Sequence, residues 1–407
     1  MRVCATDLRA GMVLASDVVG ANGRLLLPGG SAITGQHLRV FNIWGVTEAD
    51  VREDSVEGVS IRRPEHAMAG SVYADALFDH TDMRVPPMPF LKQACAAMYA
   101  DLLAGGHELP PLPEPFEGEV NLPHAPLFAD AEAFLIADVE LGVFPAVYHR
   151  IMEALHNPLS SSGSLADIIA GDPGLAARLL ALVNSALYGY SQPIDSLSRA
   201  VSLIGTRGLT QLALGVTVME RFKGVDDDRF TMAEFWRHSL ACAALCRILA
   251  AQVSGRPDQD LCFVAGLLHD VGRLAMLQTQ PAAAETARRM STASGVPLEA
   301  AERRVFGFDH CRVAQTLFTA WHFPEDIVRA TIHHHDAEQC ACTVESAICA
   351  VAEVVATAMR YGSGGNEFVH AIPPGAWEAL GLPESALATT MTTARRQIDD
   401  LFTVFLD

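Results

Sequence analysis

The sequence predicts a mainly α-helical protein with a small β module at its N-terminus. From about residue 136 onward, apolar side chains recur at helical spacing, and no alternating strand pattern interrupts them. Short apolar runs separated by turn signals such as Asn22-Gly23 are confined to the first 60 or so residues. Because 50% of the 407 residues are hydrophobic, the chain can bury a sizeable core and is not intrinsically disordered.

These patterns divide the chain into four predicted regions. Residues 1–60 form the β module, with one short helix over Thr34–Phe41. Residues 61–135 form a proline-rich connector with one helix over Phe90–Leu103. Residues 136–340 form an all-α domain, and residues 341–407 add C-terminal helices that pack on it.

Capping residues mark several helix starts in the all-α region. Thr231 with Glu234 and Ser164 with Asp167 fit a capping box, and Asp172-Pro173 fits a cap followed by proline at the first helical position. The predicted helices are 145–156, 164–170, 173–188, 196–204, 207–222, 232–253, 260–278, 281–294, 298–305, 310–321 and 324–335, with more from 343 onward.

Charge and hydropathy exclude several function classes. The net charge of −19 repels nucleic acid and anionic lipid, and the sequence has no basic stripe that would offset it. The longest uncharged run, Leu179–Ile194, is too short and too polar to span a membrane. The N-terminus carries Asp7 and Arg9 and does not resemble a signal peptide. We therefore expect a soluble, cytoplasmic protein without nucleic-acid binding or membrane insertion.

Nine cysteines are scattered along the chain without a C-x-x-C pair. Cys242 and Cys246 lie at helical spacing in an apolar segment, which is typical of small buried hydrophobic residues. Redox or metal use is the alternative interpretation.

Histidines and carboxylates form the most informative pattern in the sequence. They fall in separate predicted helices, as His238, His269-Asp270, His310, His334-His335 and Glu353. Adjacent residues on a helix point about 100° apart, so each doublet can serve two neighbouring metal ions, such as a pair bridged by the aspartate. Imidazole and carboxylate donors suit iron, manganese, zinc or nickel. The pattern predicts one or two transition-metal ions, whereas any one histidine alone fits an ordinary core or surface imidazole.

The segment Leu267-Leu268-His269-Asp270-Val271-Gly272-Arg273-Leu274 resembles the signature of the HD superfamily of metal-dependent phosphohydrolases. Within that superfamily the best match is the HDOD domain, a bacterial signalling module. The resemblance covers roughly 200 residues and includes Asp172-Pro173, Asn184-Ser185, Trp236-Arg237-His238 and Gly307-Phe308-Asp309-His310. Near the N-terminus, Leu8–Ala15 resembles the β module that precedes some HD-GYP cyclic-di-GMP phosphodiesterases.

The resemblance implies a ligand set and also a departure from the enzymes. The HD-GYP pattern implies metal ligands at His238, His269, Asp270, His310, His334 and His335, with Glu353 where that family has aspartate. The Gly-Tyr-Pro segment is missing after His335, and Arg273 replaces a lysine. If the protein were an active enzyme, Asp270 and Arg273 would be its catalytic residues.

Our leading hypothesis is therefore a bacterial signal-transduction protein whose HDOD domain is a non-catalytic, metal-binding output module. Its expected partner is a signalling protein, with a nucleotide second messenger as a second candidate. The rival hypothesis is a metal-dependent phosphohydrolase acting on a cyclic dinucleotide or another nucleotide. The third is a metal-free scaffold.

Overall fold

The computed structural model describes residues 2–5, 8–20, 25–43, 46, 48–52, 55, 64–113, 120–135, 144–156, 162–190, 192–222, 231–340 and 343–406. The predicted Asn22-Gly23 turn, the segment Leu141-Gly142-Val143 and the edges of the predicted regions at 60/61, 136 and 341 lie outside these residues. The four-region division therefore stays a prediction.

The N-terminal module is a small β structure with its own core. Its elements are β1 (Arg2–Cys4), β2 (Val18–Val19), β3 (Leu25–Leu27), α1 (Gly35–Ile43) and β4 (Glu48–Asp50). Strand β1 pairs antiparallel with β4, and β2 pairs antiparallel with β3. Buried Leu14, Ile33, Phe41 and Val51 fill the space between them.

The rest of the described chain is helical, which confirms the prediction of a mainly α protein. The helices are α2 (Pro64–Leu77), α3 (Met88–Ala104), α4 (Ala131–Leu135), α5 (Ala146–His156), α6 (Ser162–Ala170), α7 (Pro173–Asn184), α8 (Leu197–Arg221), α9 (Met232–Gln252), α10 (Gln259–Leu268), α11 (Val271–Thr279), α12 (Pro281–Ser294), α13 (Leu298–Phe306), α14 (His310–Ala320), α15 (Glu325–Ile332), α16 (Ala337–Cys340), α17 (Val344–Met359), α18 (Ala376–Leu380) and α19 (Ala386–Phe405).

Helix α9 lies at the centre of the helical part. It packs against α10, α17 and α19, so the C-terminal helices contribute directly to the main core. Its small residues Ala241, Ala243 and Ala244 are fully buried and allow the neighbouring helices to approach closely. The Thr231 hydroxyl accepts a hydrogen bond from the Glu234 N–H at 3.1 Å, which confirms the predicted cap of α9.

Three sequence-based predictions of the helices were wrong in detail. The connector contains α2 and α4 as well as the predicted helix. Helix α6 begins at Ser162, before the predicted capping box. Helix α7 ends at Asn184, because the Asn184 amide donates to the Ile194 carbonyl and accepts from the Ile194 N–H, which ties the following loop in place. By contrast, the prediction of two helices over 196–204 and 207–222 agrees with the structure, because the backbone of α8 is non-helical at Gly205, whose φ of 80° favours glycine.

Helix α8 is, among the described residues, the helix long and apolar enough to cross a membrane by length and composition. In this structure 67% of its apolar window is buried inside the protein. It packs against α6, α7 and α10, as expected of a core helix.

Candidate metal centre

The predicted histidine-aspartate doublet lies at a helix break rather than inside one helix. The helix predicted over 260–278 is interrupted between α10 and α11, where Asp270 has φ −100° and ψ 8°. The break leaves both side chains buried at the junction. Asp270 Oδ2 lies 3.2 Å from His269 Nε2, and Asp270 Oδ1 lies 3.2 Å from His310 Nε2. The carboxylate thus stands between two imidazoles.

His310 is oriented by a buried carboxylate. It is the first residue of α14, and its backbone N–H donates to Glu302 Oε2 at 2.9 Å. The same oxygen lies 2.7 Å from His310 Nδ1. This contact assigns the proton to Nδ1 and leaves Nε2 as the free donor atom facing Asp270.

His334 and His335 lie in the turn after α15, so the prediction that helix 324–335 carries them was also wrong. His334 Nδ1 lies 2.6 Å from the Thr331 carbonyl oxygen, which directs Nε2 toward His310 Nε2, 3.3 Å away. Glu353 of α17 has its Oε2 3.7 Å from His334 Nε2 and 3.6 Å from His335 Nε2. A C-terminal helix therefore reaches the same centre.

His238 of α9 completes the set on the other side of Asp270. Its ring lies 5.4 Å from the His269 ring, centre to centre. Gly364 covers this side, since a Cβ atom there would lie 2.6 Å from Asp270 Oδ2 and 2.9 Å from His238 Cδ2. Only glycine allows the backbone to approach the two side chains this closely.

The structure thus brings all seven predicted ligands together, and their donor atoms form two groups that share Asp270. One group is His238, His269 and Asp270, and the other is Asp270, His310, His334 and His335. Within each group the ligand atoms all lie within 4.8 Å of one another. Glu353 adjoins the second group. This is the arrangement expected for two ions bridged by one carboxylate.

The chemistry of the buried atoms fits metal ions. His238 Nε2, His269 Nε2, Asp270 Oδ1 and His335 Nε2 make no hydrogen bond within the described part of the chain, although all are buried. Three carboxyl groups, those of Asp270, Glu302 and Glu353, are also buried among these imidazoles, and Arg273 forms ion pairs with the first two. Buried charge and unpaired polar atoms are costly unless they are paired or bound to metal.

Ionisation in the site follows from burial and charge. Burial, aided by His269, lowers the pKa of His238 to about 3, so its ring is a neutral donor at physiological pH. Burial alone would raise the pKa of Asp270, but Arg273 and His269 hold it well below its ordinary value. Burial and the negative charge of Asp270 raise the pKa of Glu353 to about 7. Asp270 is therefore the permanent anion of the site.

Hydrogen bonds to other groups of the protein hold the side chain of Arg273 in place. Its Nη1 donates to Asp270 Oδ2 at 2.6 Å and to the Gly364 carbonyl at 3.1 Å, and its Nε donates to Glu302 Oε1 at 3.0 Å. The side chain is only 6% exposed. Arg273 supports the donor set from behind and is poorly placed to meet a ligand arriving from solvent.

A cavity of about 200 Å³ reaches the site at His335 and Glu353. The strap, which we define as residues 361–375, forms much of its wall through Asn366, Phe368 and His370. Ser363 N–H of the strap donates to the Glu234 carbonyl at 3.1 Å, and Val369 N–H donates to the Leu77 carbonyl at 3.0 Å. The strap thereby fastens the cavity wall to α9 and to the connector helices.

Sequence reasoning missed several residues of this centre. Glu302 resembles any surface carboxylate in an amphipathic helix, and Gly364 resembles any loop glycine. Cys311 Sγ lies 3.5 Å from His310 Nε2. The sequence gives no sign of this contact, because the two residues are adjacent in the chain. Only the fold places these residues at the donor set.

An all-helical fold around a buried histidine-aspartate set defines a protein of the HD-superfamily type. Residues 141–337, just under half of the chain, match the HDOD domain family, so this part of the chain is an HDOD domain.

The similar solved structures share this fold. An HDOD domain protein with unknown function from Geobacter sulfurreducens is 25% identical, with a TM-score of 0.57 over 68% of this chain and 97% of that one. A protein from Shewanella amazonensis SB2B, provisionally named a phosphohydrolase, is 21% identical, with a TM-score of 0.53 over 67% of this chain and 97% of that one. A curated relative, an uncharacterized protein of Treponema pallidum (strain Nichols), is 23% identical over 192 residues, which are 47% of this chain and 37% of the relative's length.

Proposed function

We propose that this chain is a signal-transduction protein in which the HDOD domain holds two bridged transition-metal ions and acts as a binding and output module. The observation that carries the proposal is the sharing of Asp270 by two buried donor groups. His238 and His269 would hold one ion with Asp270, and His310, His334 and His335 would hold the other, with Glu353 beside it. Iron, manganese, zinc and nickel fit this donor chemistry.

Three features favour binding over turnover of a cyclic dinucleotide. Nε and Nη1 of Arg273 are held by Asp270, Glu302 and the strap, which leaves Nη2 as the one guanidinium nitrogen without a hydrogen-bond partner in the described structure. The cavity of about 200 Å³ is smaller than the roughly 300–1,000 Å³ common for drug-sized ligands. The Gly-Tyr-Pro segment of the phosphodiesterases is missing.

Within this function the protein's own residues have defined tasks. Glu302 holds the proton on His310 Nδ1, and the Thr331 carbonyl does the same for His334. Arg273 balances the charge of Asp270 and Glu302, and the strap excludes water on the Gly364 side. When bound, the ions would lock α9, α10, α14, α15 and α17 into one arrangement that a signalling protein partner in the cytoplasm could recognise.

A second candidate is a phosphohydrolase acting on a small phosphate ester. The opening of the cavity at His335 and Glu353 favours it, because a small ligand could reach the second donor group there. The bound ions would supply Lewis-acid chemistry at a phosphate oxygen. Glu299, whose carboxylate also lines the cavity, would favour esters that carry a hydroxyl or amino group.

The test combines elemental analysis with an activity screen on the full chain. We expect stoichiometric transition metal in the purified protein and its loss in His334→Ala, while the matched control His333→Ala keeps it, because His333 lies outside both donor groups. We expect no turnover of cyclic-di-GMP or of a phosphate-ester panel with added Mn²⁺ or Fe²⁺. If the wild type turns over one of these substrates and Asp270→Ala does not, the protein is an enzyme and the output-module proposal is wrong. If the purified protein holds no metal and chelators leave its melting temperature unchanged, both the output-module proposal and the phosphohydrolase proposal are wrong.

A further inference from the structure

A second cluster of metal-binding atoms lies outside the centre described above. Cys242 and Cys246 are one turn apart on α9, and Cys349 meets them from α17. The three sulfur atoms all lie within 4.8 Å of one another, and all three side chains are fully buried. The sequence favoured small hydrophobic residues at 242 and 246, with redox or metal use as the alternative, and did not link them to Cys349. The fold creates the cluster.

The spacing of these sulfur atoms fits a three-coordinate ion. Metal–thiolate bonds to zinc are about 2.3 Å long, so an ion centred among three sulfur atoms would separate them by about 4 Å. The three sulfur atoms lie within 4.8 Å of one another, a range that includes this separation. Two ligands come from one helix at i and i+4, which also fixes their mutual orientation.

The donor chemistry selects a different kind of ion from the histidine-aspartate centre. The cluster offers sulfur only, and thiolate ligands favour soft ions such as Cu(I) and Zn(II). Burial raises the pKa of Cys242 and Cys246, and a hydrogen bond with Cys242 together with burial raises the pKa of Cys349, so the three thiols stay protonated until an ion displaces their protons to solvent. We propose that Cys242, Cys246 and Cys349 form a site for one thiophilic d¹⁰ ion, Cu(I) or Zn(II).

The proposed site shares its two helices with the donor set. His238 precedes Cys242 by four residues on α9, and Glu353 follows Cys349 by four residues on α17. Four residues correspond to a rise of about 6 Å along a helix. An ion bound to the sulfur atoms would join α9 to α17 one turn from His238 and Glu353, and would stabilise the fold through its preferential binding to the native state.

Because the sulfur atoms are buried, the test loads the ion during biosynthesis. The full chain is produced in medium supplemented with copper or with zinc and purified without oxygen. Metal content is then compared with that of Cys242→Ser, Cys349→Ser and the control Cys95→Ser, whose thiol is equally buried but lies on α3. We expect one thiophilic ion per chain in the wild type and Cys95→Ser, and its loss in the other two variants. X-ray absorption at the metal edge should show three sulfur ligands near 2.3 Å.

Asp270→Asn separates this site from the proposed function. It removes metal held by imidazole and carboxylate but should keep the sulfur-bound ion, so either proposal can fail alone. If the wild type in both media holds no more copper or zinc than Cys242→Ser, or if the absorption spectrum shows no sulfur ligands, the thiol site does not exist. The spectroscopic result on the wild type decides the matter even if a cysteine variant fails to fold.

Discussion

Glu302 shows how one residue can control a metal site without binding the metal. Its Oε2 receives both the backbone N–H and the Nδ1–H of His310, and its Oε1 receives Arg273 Nε. Glu302 therefore fixes the tautomer of one ligand and the position of the cation behind another.

Replacing Glu302 by glutamine should weaken metal binding by about 10–100-fold, the range typical of such supporting partners. The apparent dissociation constant is measured by competition with a chelator. Glu299→Gln is the control, because Glu299 is nearly as buried on the same helix but forms its ion pair with Arg303 and not with a donor residue. Equal affinities for Glu302→Gln and the wild type would remove Glu302 from the site.

Arg273→Ala should reduce the free energy of unfolding of the metal-free protein by about 3–5 kcal/mol, because it leaves the buried charges of Asp270 and Glu302 uncompensated. Denaturant unfolding with a chelator present measures this change, and added metal should restore part of it. The control Arg207→Ala removes an ion pair from a side chain that is 65% exposed, and should change stability by about 1 kcal/mol or less. A loss equally small for Arg273→Ala would show that its ion pairs contribute little.

At the scale of elements, five of the seven predicted ligands lie at helix ends or breaks, whereas His238 and Glu353 lie inside α9 and α17. Asp270 lies at the break between α10 and α11, His310 begins α14, and His334 and His335 follow α15. The sequence predicted helices here but carried 260–278 and 324–335 through these points, since no proline or glycine stands at Asp270 or His333. Hydrogen bonds of individual side chains to nearby groups, such as Arg273 to Asp270 and His334 to the Thr331 carbonyl, accompany the breaks, and the hydrophobic pattern carries no signal for them.

A single methyl group should disturb the strap. In Gly364→Ala the new Cβ would lie 2.6 Å from Asp270 Oδ2, so the strap or the carboxylate must move. We expect lower metal occupancy and a lower melting temperature, measured on the same preparation. Gly35→Ala is the control, because no atom lies within 4 Å of its added Cβ. Unchanged metal occupancy in Gly364→Ala would mean that the strap moves to accommodate the methyl group without disturbing the donor atoms.

At the scale of the whole molecule, the mainly α architecture and the convergence of the seven side chains could be predicted from the sequence. Helical periodicity and the order of the histidines carry that information. The orienting residues Glu302 and Gly364, and the meeting of Cys349 with Cys242, could not be predicted. They depend on the packing of helices far apart in the chain, for which local periodicity gives no signal.

Acid should destabilise the whole fold through buried neutral imidazoles. Burial, aided by His80, lowers the pKa of His370 to about 4, while an unfolded histidine titrates near 6.5. Between these values the unfolded chain binds a proton that the folded chain does not, so the free energy of unfolding falls as the pH falls from about 6.5 to 4 and levels off below. Urea unfolding measures the free energy of unfolding across this pH range. Its decrease with falling pH should be smaller in His370→Asn than in the exposed control His107→Asn. Identical decreases would exclude a contribution from His370.

The central claim is that one carboxylate serves two metal positions, and the metal content of Asp270→Asn against His238→Ala tests it most directly. Because Asp270 belongs to both donor groups and His238 to one, we expect two ions per chain in the wild type, one in His238→Ala and none at this centre in Asp270→Asn. Metal bound to sulfur is identified by its X-ray absorption spectrum and subtracted from the total metal content. Two ions retained in Asp270→Asn, with the protein still folded, would contradict the shared centre.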